Sequence, residues 1–415
     1  MMKISTSLVV AFSVFAFAGC KKKKEEGTNQ PTPTDPGSAV AKPTEPPPPP
    51  PPKPMTGPEL AELYKKCGGY LNEGKADDFK KDCIDEKFVG HEVGMPDTQG
   101  ADQMLTMMKD MKAAFPDMKI QPQLVIVNGR NIYGVGLHTG TQSGPMKMPG
   151  QPEIPATNKK VGALYFHKLA VNDANKVTEE WGFADHGTMM AQLGLAPKGS
   201  SPKRAAMDKG LEGAPIVVVA ADDAKEKANL EAYKKGIDAI NAKKLPDMMA
   251  LWADDAIDSD QAMDKDVKGK KAIEAGMKQF FGAFSDGKLT DVNAVAAGDY
   301  VVSIGKFDGT NDKDMGKMKK TGKHVTLDFA EVVLFKDGKV KQTWRFTDSM
   351  QFAQQAGLIP AAGAAPGAPA GSGAAPAGKD AKAPAGKDAT KAPAKEKKAA
   401  EKKEPAAGGE QPKTE

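Results

Sequence analysis

Apolar and polar residues alternate along two short segments of the chain, and each alternation predicts a β-strand. On the first strand one face carries Val177, Glu179, Trp181, Phe183 and Asp185. On the second strand the matching face carries Val340, Gln342, Trp344, Phe346 and Asp348. Both strands therefore end on an aspartate that follows an aromatic-lined face.

The two strands belong to a longer internal repeat. Trp344 and Asp348 follow Trp181 and Asp185 by 163 positions (344 − 181). Earlier in each unit the offset is 169 (233 − 64), as between the two tyrosines of the first helices. The offset changes only where loops are expected, so the chain is predicted to hold two homologous domains.

Helical and strand patterns occur in the same order in both units, with helices first and antiparallel strands last. This order predicts an α+β fold in which a curved antiparallel sheet packs on three helices in each domain. The elements expected in the first unit are helices Pro58–Glu73, Asp77–Ile84 and Ala101–Phe115, strands Phe88–Glu92, Lys119–Asn128, Ile132–Thr141, Val161–Val171 and Val177–Ala184, and helix Gly187–Leu193.

The N-terminus has the pattern of an exported lipoprotein. A lysine precedes an apolar run, Leu8–Ala18, that is too short to span a bilayer. Phe17-Ala18-Gly19-Cys20 resembles a bacterial lipobox, which implies lipidation of Cys20 and a membrane-anchored protein of the cell envelope. An ordinary signal peptide with cleavage nearby is the alternative.

Composition divides the rest of the chain. We expect a signal peptide at 1–19, a Pro-rich disordered tether at 20–56, domains at 57–197 and 224–360, a linker at 198–223 and a disordered Ala/Pro/Lys-rich tail at 361–415. Ile216–Ala220 in the linker adds a strand or covers a sheet edge. The net charge of +4 gives no argument for nucleic-acid binding.

Two cysteines, Cys67 and Cys83, remain if Cys20 is lipidated. Outside the cytoplasm a disulfide between them is chemically allowed, and two free buried thiols are the alternative. The second repeat has Gly236 and Trp252 at the matching positions. A bridge is therefore optional to the fold.

Several short motifs carry a family resemblance. The first repeat has Phe115-Pro116-Asp117, Asn128-Gly129, Gly140-Thr141, Ala156-Thr157-Asn158-Lys159 and Glu180-Trp181…Asp185…Gln192-Leu193-Gly194-Leu195. The second keeps Phe284, Asp286, Gly298-Asp299, Gly309-Thr310, Thr321-Gly322-Lys323 and Trp344…Asp348…Gln355. These motifs and the element order resemble the SnoaL-like polyketide cyclases of the nuclear transport factor 2-like superfamily.

The resemblance implies two cone-shaped domains, each with a pocket between sheet and helices, and chemistry without cofactor or metal. In the cyclases an aspartate at the end of the last strand shuttles a proton during ring closure. By position this role falls to Asp185, with Asp348 as its equivalent. Trp181 and Phe183 would exclude water from Asp185 and raise its pKa.

Histidines distinguish the two repeats. Four of the five lie in the first: His91, His138, His167 and His186. Their approximate counterparts are Asp260, Phe307, Glu331 and Ser349. No two-histidine spacing of a metal motif occurs, so no metal is expected. One interpretation is that each histidine is exposed or has its hydrogen bonds satisfied within the protein. If the strand faces form the pocket instead, the histidines and Asp185 could orient a carbonyl or an enolate.

The predicted catalytic residues are Asp185, His138 and His91. The predicted ligand contacts are Trp181, Phe183, Tyr165, His167, Trp344 and Asp348. In the second repeat Arg345 and His324 are expected outside the pocket, which leaves that domain poorly equipped for chemistry. The resemblance also implies that the domains pair through their outer sheet faces as an intramolecular pseudo-dimer.

These observations predict three alternative functions. The first is binding of a small apolar or polyketide-like molecule in the first domain without turnover. The second is a cofactor-free acid/base enzyme, a cyclase or isomerase, that uses Asp185. The third is an interaction scaffold with filled pockets. The chain has no Gly-x-Ser-x-Gly elbow, phosphate loop or dinucleotide fingerprint, so those enzyme classes are not supported.

Overall fold

The computed structural model describes residues 52–147, 152–197 and 200–359. The predicted signal peptide, Cys20, most of the predicted tether and the predicted tail lie outside the described residues. No helix within the described ranges is long and apolar enough to span a bilayer.

The first domain consists of four helices and six strands. Its elements are α1 (Gly57–Glu73), α2 (Ala76–Asp82), β1 (Ile84–Glu92), β2 (Thr98–Gln99), α3 (Ala101–Ala114), β3 (Lys119–Asn128), β4 (Asn131–Thr141), β5 (Lys160–Val171), β6 (Val177–Phe183) and α4 (His186–Gln192). The linker strand β7 (Ile216–Val219) pairs with β3 and extends the sheet, whose order is β2-β1-β6-β5-β4-β3-β7.

The second domain repeats this order. Its elements are α5 (Ala224–Asn241), α6 (Leu245–Met249), β8 (Trp252–Asp260), β9 (Val267–Lys268), α7 (Lys270–Ala283), β10 (Lys288–Ala297), β11 (Tyr300–Thr310), β12 (His324–Lys336), β13 (Lys339–Phe346) and α8 (Ser349–Gln355). The strand order is β10-β11-β12-β13-β8-β9.

The predicted α+β class with a sheet packed on helices in each domain is confirmed, but the sheets are mixed rather than wholly antiparallel. β1 runs parallel to β6, β8 runs parallel to β13, and β7 runs parallel to β3. A parallel neighbour needs a long crossover connection. The helix and four strands between the first and last strands of each domain supply that connection.

Each sheet buries both of its faces. On the inner face of the first sheet, Val125 and Ile132 share an apolar cluster with Leu60 and Tyr64 of α1. On the outer face, Leu137, Phe166 and Phe183 belong to a cluster that also contains Trp344 and Phe346 of the second domain. This shared cluster joins the two domains, because each large side chain buried there contributes about 1.5–3 kcal/mol relative to exposure.

Cys67 and Cys83 form a disulfide with Cα atoms 5.9 Å apart. The bridge connects α1 to the residue that follows α2. The disulfide that the sequence allowed is therefore present, and the alternative of two free thiols does not apply.

Candidate functional site

Five polar side chains meet inside the first domain, on the sheet face that α1 covers. Strand alternation explains why they converge, since the apolar neighbour Phe166 points outward into the shared core. Helix α1 contributes one of the five and strands β4, β5 and β6 contribute the others. The members of this interior cluster are Tyr64, His138, Tyr165, His167 and Glu180.

A chain of hydrogen bonds connects four members of the interior cluster. The Tyr165 hydroxyl donates to Oε1 of Glu180 at 2.8 Å. The same Glu180 oxygen lies 3.0 Å from Nδ1 of His167, and Nε2 of His167 lies 2.7 Å from the Tyr64 hydroxyl. Such a chain orients each ring and offers a path along which a proton can move.

Two glycines make room for the interior cluster. A Cβ atom on Gly134 would lie 2.3 Å from the Tyr64 hydroxyl and 2.6 Å from Nε2 of His167. A Cβ atom on Gly182 would lie 2.0 Å from Oε2 of Glu92 and 3.5 Å from the Tyr165 hydroxyl. Any larger residue at either position would displace these polar atoms.

His138 is held neutral inside the domain. Burial, assisted by the positive charge of His167, lowers the pKa of His138 to about 4. Its Nε2 atom is buried and has no hydrogen-bond partner among the described residues. An unpaired buried nitrogen costs about 1–3 kcal/mol, so a ligand that bonded to it would recover that free energy.

Glu180 and Glu92 have pKa values shifted in opposite directions. Burial alone would raise the pKa of Glu180, but hydrogen bonds and charge from His167 outweigh burial and lower it. Burial raises the pKa of Glu92 to about 7, and the charges of Glu180 and Asp348 add to that rise while His186 opposes it. Two carboxyl groups with separated pKa values are typical of acid/base sites.

The predicted constellation was His91, His138, His167 and Asp185. The structure brings His138 and His167 together with Tyr165, which was predicted as a ligand contact, and leaves His91 and Asp185 apart from them.

Glu180, Glu92 and Tyr64 were not predicted as members of this cluster. Glu180 alternates with Trp181, so it occupies the opposite strand face from the aromatic residues. That alternation is the sequence pattern that could have assigned Glu180 to the face opposite the aromatic residues. Only the position of α1 shows which of the two faces lies inside the domain.

Trp181 and Phe183 lie on the outer face, apart from the interior cluster. The Lys168 ammonium lies 3.9 Å from the centroid of the Trp181 ring, and His91 stacks on the same ring at 5.5 Å. His91, Trp181 and Phe183 line a cleft of about 780 Å³ between the two domains, and Glu92 reaches this cleft as well. Their predicted roles in ligand contact or catalysis stay predictions.

Asp185 does not reach the interior cluster. Its side chain is 3 % exposed and accepts hydrogen bonds from the backbone N–H of Thr188 at 3.0 Å and of Ser349 at 2.8 Å. It also pairs with Lys203 at 3.3 Å. The carboxylate thus caps α4 and binds the second domain, and its predicted proton-transfer role stays a prediction.

Asp348 and Trp344 also lie at the junction of the domains. Asp348 accepts from the backbone N–H of Met350 at 2.9 Å and lies 3.1 Å from Nδ1 of His186. Trp344 is buried in the shared core. His186 therefore has a partner in the second domain. The prediction that it continues a strand beside Asp185 was wrong, because β6 ends at Phe183 and His186 begins α4.

Arg345 lies inside the second domain, so the expectation that it lies outside the pocket was wrong. Its guanidinium contacts Glu331 at 3.1 Å, Asp258 at 3.3 Å and Asp260 at 3.6 Å. Arg345 occupies the inner-face position that Gly182 occupies in the first repeat (345 − 182 = 163). A half-buried guanidinium is stabilised by paired carboxylates, and these three carboxylates supply them.

Strand pairing also changes one predicted correspondence. Asp260 pairs with Arg345, just as Glu92 pairs with Gly182. Asp260 is therefore the counterpart of Glu92 rather than of His91. His324 lies on an exposed strand end, as expected.

Comparisons with known proteins follow the repeat. The model of the family described as SnoaL-like polyketide cyclase matches residues 59–193 and 230–356. Similar solved structures include AclR, a putative hydroxylase from Streptomyces galilaeus (21% identity, 32% of this chain and 99% of that chain, TM-score 0.30). A putative polyketide cyclase from Xanthomonas campestris pv. campestris is 16% identical over 32% of this chain and 99% of its own (TM-score 0.30).

A third similar structure is TerC co-crystallized with polyporic acid (17% identity, 31% of this chain and 98% of that chain, TM-score 0.27). No curated protein sequence matches the chain at a significant level. Within the described residues, no group of three His, Cys, Asp or Glu side chains could hold a metal ion.

Proposed function

The chain belongs to the SnoaL-like polyketide cyclase family, and from this premise we propose that its first domain binds a small apolar or polyketide-like molecule. Domains of this family suggest either ligand binding or cyclase or isomerase activity. The observation that carries the proposal is the buried Nε2 atom of His138, which has no partner in the described part of the chain.

The surroundings of His138 suit a ligand with an apolar body and one oxygen. Depending on its tautomer, Nε2 donates to a ligand carbonyl or accepts from a ligand hydroxyl. The Tyr165 ring lies 4.4 Å from the His138 ring and offers an aromatic surface. Apolar side chains such as Val125, Ile132 and Leu169 border the same face of the sheet.

The second domain contributes little to this ligand site. Phe307 replaces His138, and the ion pairs of Arg345 occupy the inner face at the position of Gly182, where the first domain holds the Glu92 carboxyl group instead. Tyr233 bonds internally to Ser303 at 2.5 Å. We assign this domain a structural role, in line with the scaffold alternative for this half of the chain.

A cofactor-free acid/base enzyme is the alternative function. Glu92 favours it, because a carboxyl group with a pKa of about 7 beside Tyr165 can accept and return a proton near neutral pH. Asp185 was the residue predicted for this step. The hydrogen bonds that Asp185 accepts from both domains favour Glu92 over it.

We also propose that Cys20 carries the lipid and that the protein is anchored to a membrane on the outer side of the cytoplasm. The support is the order of lysine, apolar run and lipobox-like residues at the N-terminus. We further propose that the domains form an intramolecular pseudo-dimer. The shared core and the paired contacts Asp185–Ser349 and Asp348–His186 support this arrangement.

The test is a thermal-shift screen of the full chain against aromatic and polyketide-like compounds. His138→Phe copies the residue of the second domain, and Tyr233→Phe in the second domain is the control. A ligand at about 100 times its Kd stabilises by about 2.7 kcal/mol. We expect a hit that stabilises the wild type and the Tyr233→Phe control and is lost in His138→Phe.

Asp185→Asn separates the alternatives. A hit that survives in His138→Phe but is lost in Asp185→Asn would contradict the interior site and return the ligand to Asp185. No hit in any protein would favour the scaffold. Liquid chromatography coupled to mass spectrometry, which also separates isomers of equal mass, detects turnover of each hit after incubation with the wild type and with Glu92→Gln. Turnover would support the enzyme only if Glu92→Gln removes it.

A further inference from the structure

The linker between the domains fills one cleft at their junction. Lys203 donates to the Ala262 carbonyl and to the Ser349 hydroxyl, both at 2.6 Å and both in the second domain. Arg204 donates to the Asp260 carbonyl at 3.1 Å and pairs with Asp266 at 3.1 Å. The linker thus places two basic side chains across the junction.

The following linker residues lie on the first sheet. The backbone N–H of Met207 donates to the Gly162 carbonyl at 2.9 Å, and that of Leu211 donates to the Gln123 side chain at 2.7 Å. Both side chains pack against the shared core. Gln192 of α4 holds the Arg204 carbonyl at 3.1 Å. A basic residue followed three positions later by an apolar one therefore docks as an extended segment.

The internal repeat creates a related cleft on the other side of the junction, and the described residues leave it open. It is the cleft of about 780 Å³ that Trp181 and Phe183 line. Gln355 of α8 corresponds to Gln192, and each glutamine bonds the backbone of one strand residue, Thr326 or Gly162. Gln355 also lines the open cleft.

The polar groups that hold Arg204 have counterparts in the open cleft. Asp97 directly precedes β2 as Asp266 directly precedes β9, and Glu92 matches Asp260 by strand pairing. Both Asp97 and Glu92 line the open cleft. Gln351 also lines it, and its Oε1 atom is buried with no partner in the described part of the chain. An incoming N–H group would satisfy that oxygen.

Charge further defines the occupant. The open cleft is lined by Asp97, Asp291 and Asp328, against one lysine, Lys306, and one histidine, His91, whose Nδ1 atom lies 3.0 Å from Asp97. Lys306 and Asp328 are cross-strand neighbours in the second sheet, at the positions that correspond to Leu137 and Leu164 in the first. In the first sheet those two leucines face the linker. The excess of negative charge favours a cationic occupant. The surplus of side-chain oxygen atoms favours an occupant with several hydrogen-bond donors.

We propose that the open cleft binds an extended peptide segment from a partner, with a basic residue followed by an apolar one, in the way that the linker occupies the related cleft. The basic side chain lies against Asp97, and Gln355 holds a backbone carbonyl of the segment. The apolar side chain rests on Trp181 and Phe183. This site is separate from the interior cluster and does not depend on small-molecule binding there.

The probe is a fluorescent synthetic peptide of residues 201–212, the linker sequence itself, titrated into the full chain with anisotropy as the readout. We expect saturable binding that weakens with added salt. Asp97→Asn combined with Asp328→Asn should weaken it roughly fivefold, the scale of exposed ion pairs. A peptide with Arg204→Ala should weaken it similarly.

Asp266→Asn in the protein is the matched control, since Asp266 holds the linker rather than the open cleft. Unchanged affinity in this variant supports the proposal. If affinity follows Asp266 instead of Asp97 and Asp328, the peptide has displaced the linker and the proposal is wrong. If the peptide shows no saturable binding, the proposal is also wrong. A cleft already occupied by another part of the chain would give this result.

Discussion

Nδ1 of His186 in the first domain lies 3.1 Å from Oδ2 of Asp348 in the second. The repeat-related contact is a hydrogen bond from the Ser349 hydroxyl to Asp185 at 2.5 Å. Each aspartate also caps the short helix that follows it. The aspartates that follow the last strands therefore connect the domains, which gives a structural reason for an acid at this point in both repeats.

Asp348→Ala should destabilise the chain by about 2–4 kcal/mol at pH 5.5, because it removes a helix cap and leaves His186 buried without a partner. The free energy of unfolding in urea measures this loss. A change below about 0.5 kcal/mol, the range of ordinary surface substitutions, would show that the contact does not hold the domains.

The same variant should show a defined pH dependence. Burial alone would lower the pKa of His186, but the hydrogen bond and charge of Asp348 outweigh burial and raise it. A raised histidine pKa contributes stability that is complete below the unfolded value of about 6.5 and lost as pH rises through the folded value. The loss caused by Asp348→Ala should therefore be smaller at pH 9 than at pH 5.5.

The change in the free energy of unfolding caused by Glu92→Gln should be more favourable at pH 8 than at pH 4.5. Burial raises the pKa of Glu92 to about 7, so the folded chain binds the proton more tightly than the unfolded chain. The wild type then loses stability as pH rises from about 4.5 to 7, by on the order of 2–4 kcal/mol. Unfolding curves of both proteins at the two pH values test this, and parallel pH profiles would contradict it.

Gly134→Ala should cost about 1–3 kcal/mol, because the new methyl group would displace the Tyr64 hydroxyl and the His167 ring. It should also abolish binding of any ligand found for the interior cluster. Gly136→Ala is the matched control on the same strand face, where the nearest atoms, those of His138, lie at an ordinary 3.6 Å. Equal effects of the two substitutions in thermal melts would argue against tight packing around Gly134.

Removal of the disulfide should destabilise the first domain by about 3 kcal/mol, the value for a closed loop of this length. The bridged cysteines are 16 positions apart. Cys67→Ala with Cys83→Ala, compared with the wild type in urea with and without reductant, measures the loss. The double variant should be insensitive to reductant, and a wild type equally insensitive would mean that the bridge adds no stability.

Arg345→Leu should destabilise the second domain by about 1–3 kcal/mol at pH 7, because three partly buried carboxyl groups lose their half-buried cation. Burial raises the pKa values of Asp260 and Glu331. Both groups become protonated as pH falls, so the loss should shrink at pH 4. Denaturation at the two pH values is the measurement, and a loss that grows on acidification would contradict the assignment.

The sequence by itself determined the repeat, the α+β class, the element order and the chemically allowed bridge between Cys67 and Cys83. These features follow from local patterns. Apolar periodicity identifies helices and strands, and matched spacing identifies duplication. The same patterns placed His138 on the face of one strand and Tyr165 with His167 on the face of another.

Only the tertiary structure decided which face of each strand lies inside a domain. Alternation separates Glu180 from Trp181 but treats their two faces alike, because both are buried here. Helix α1 covers the face of Glu180, and the second domain covers the face of Trp181. Contacts that join residues more than 160 positions apart, such as Asp185 with Ser349, depend on how the domains pack, and no local pattern encodes them.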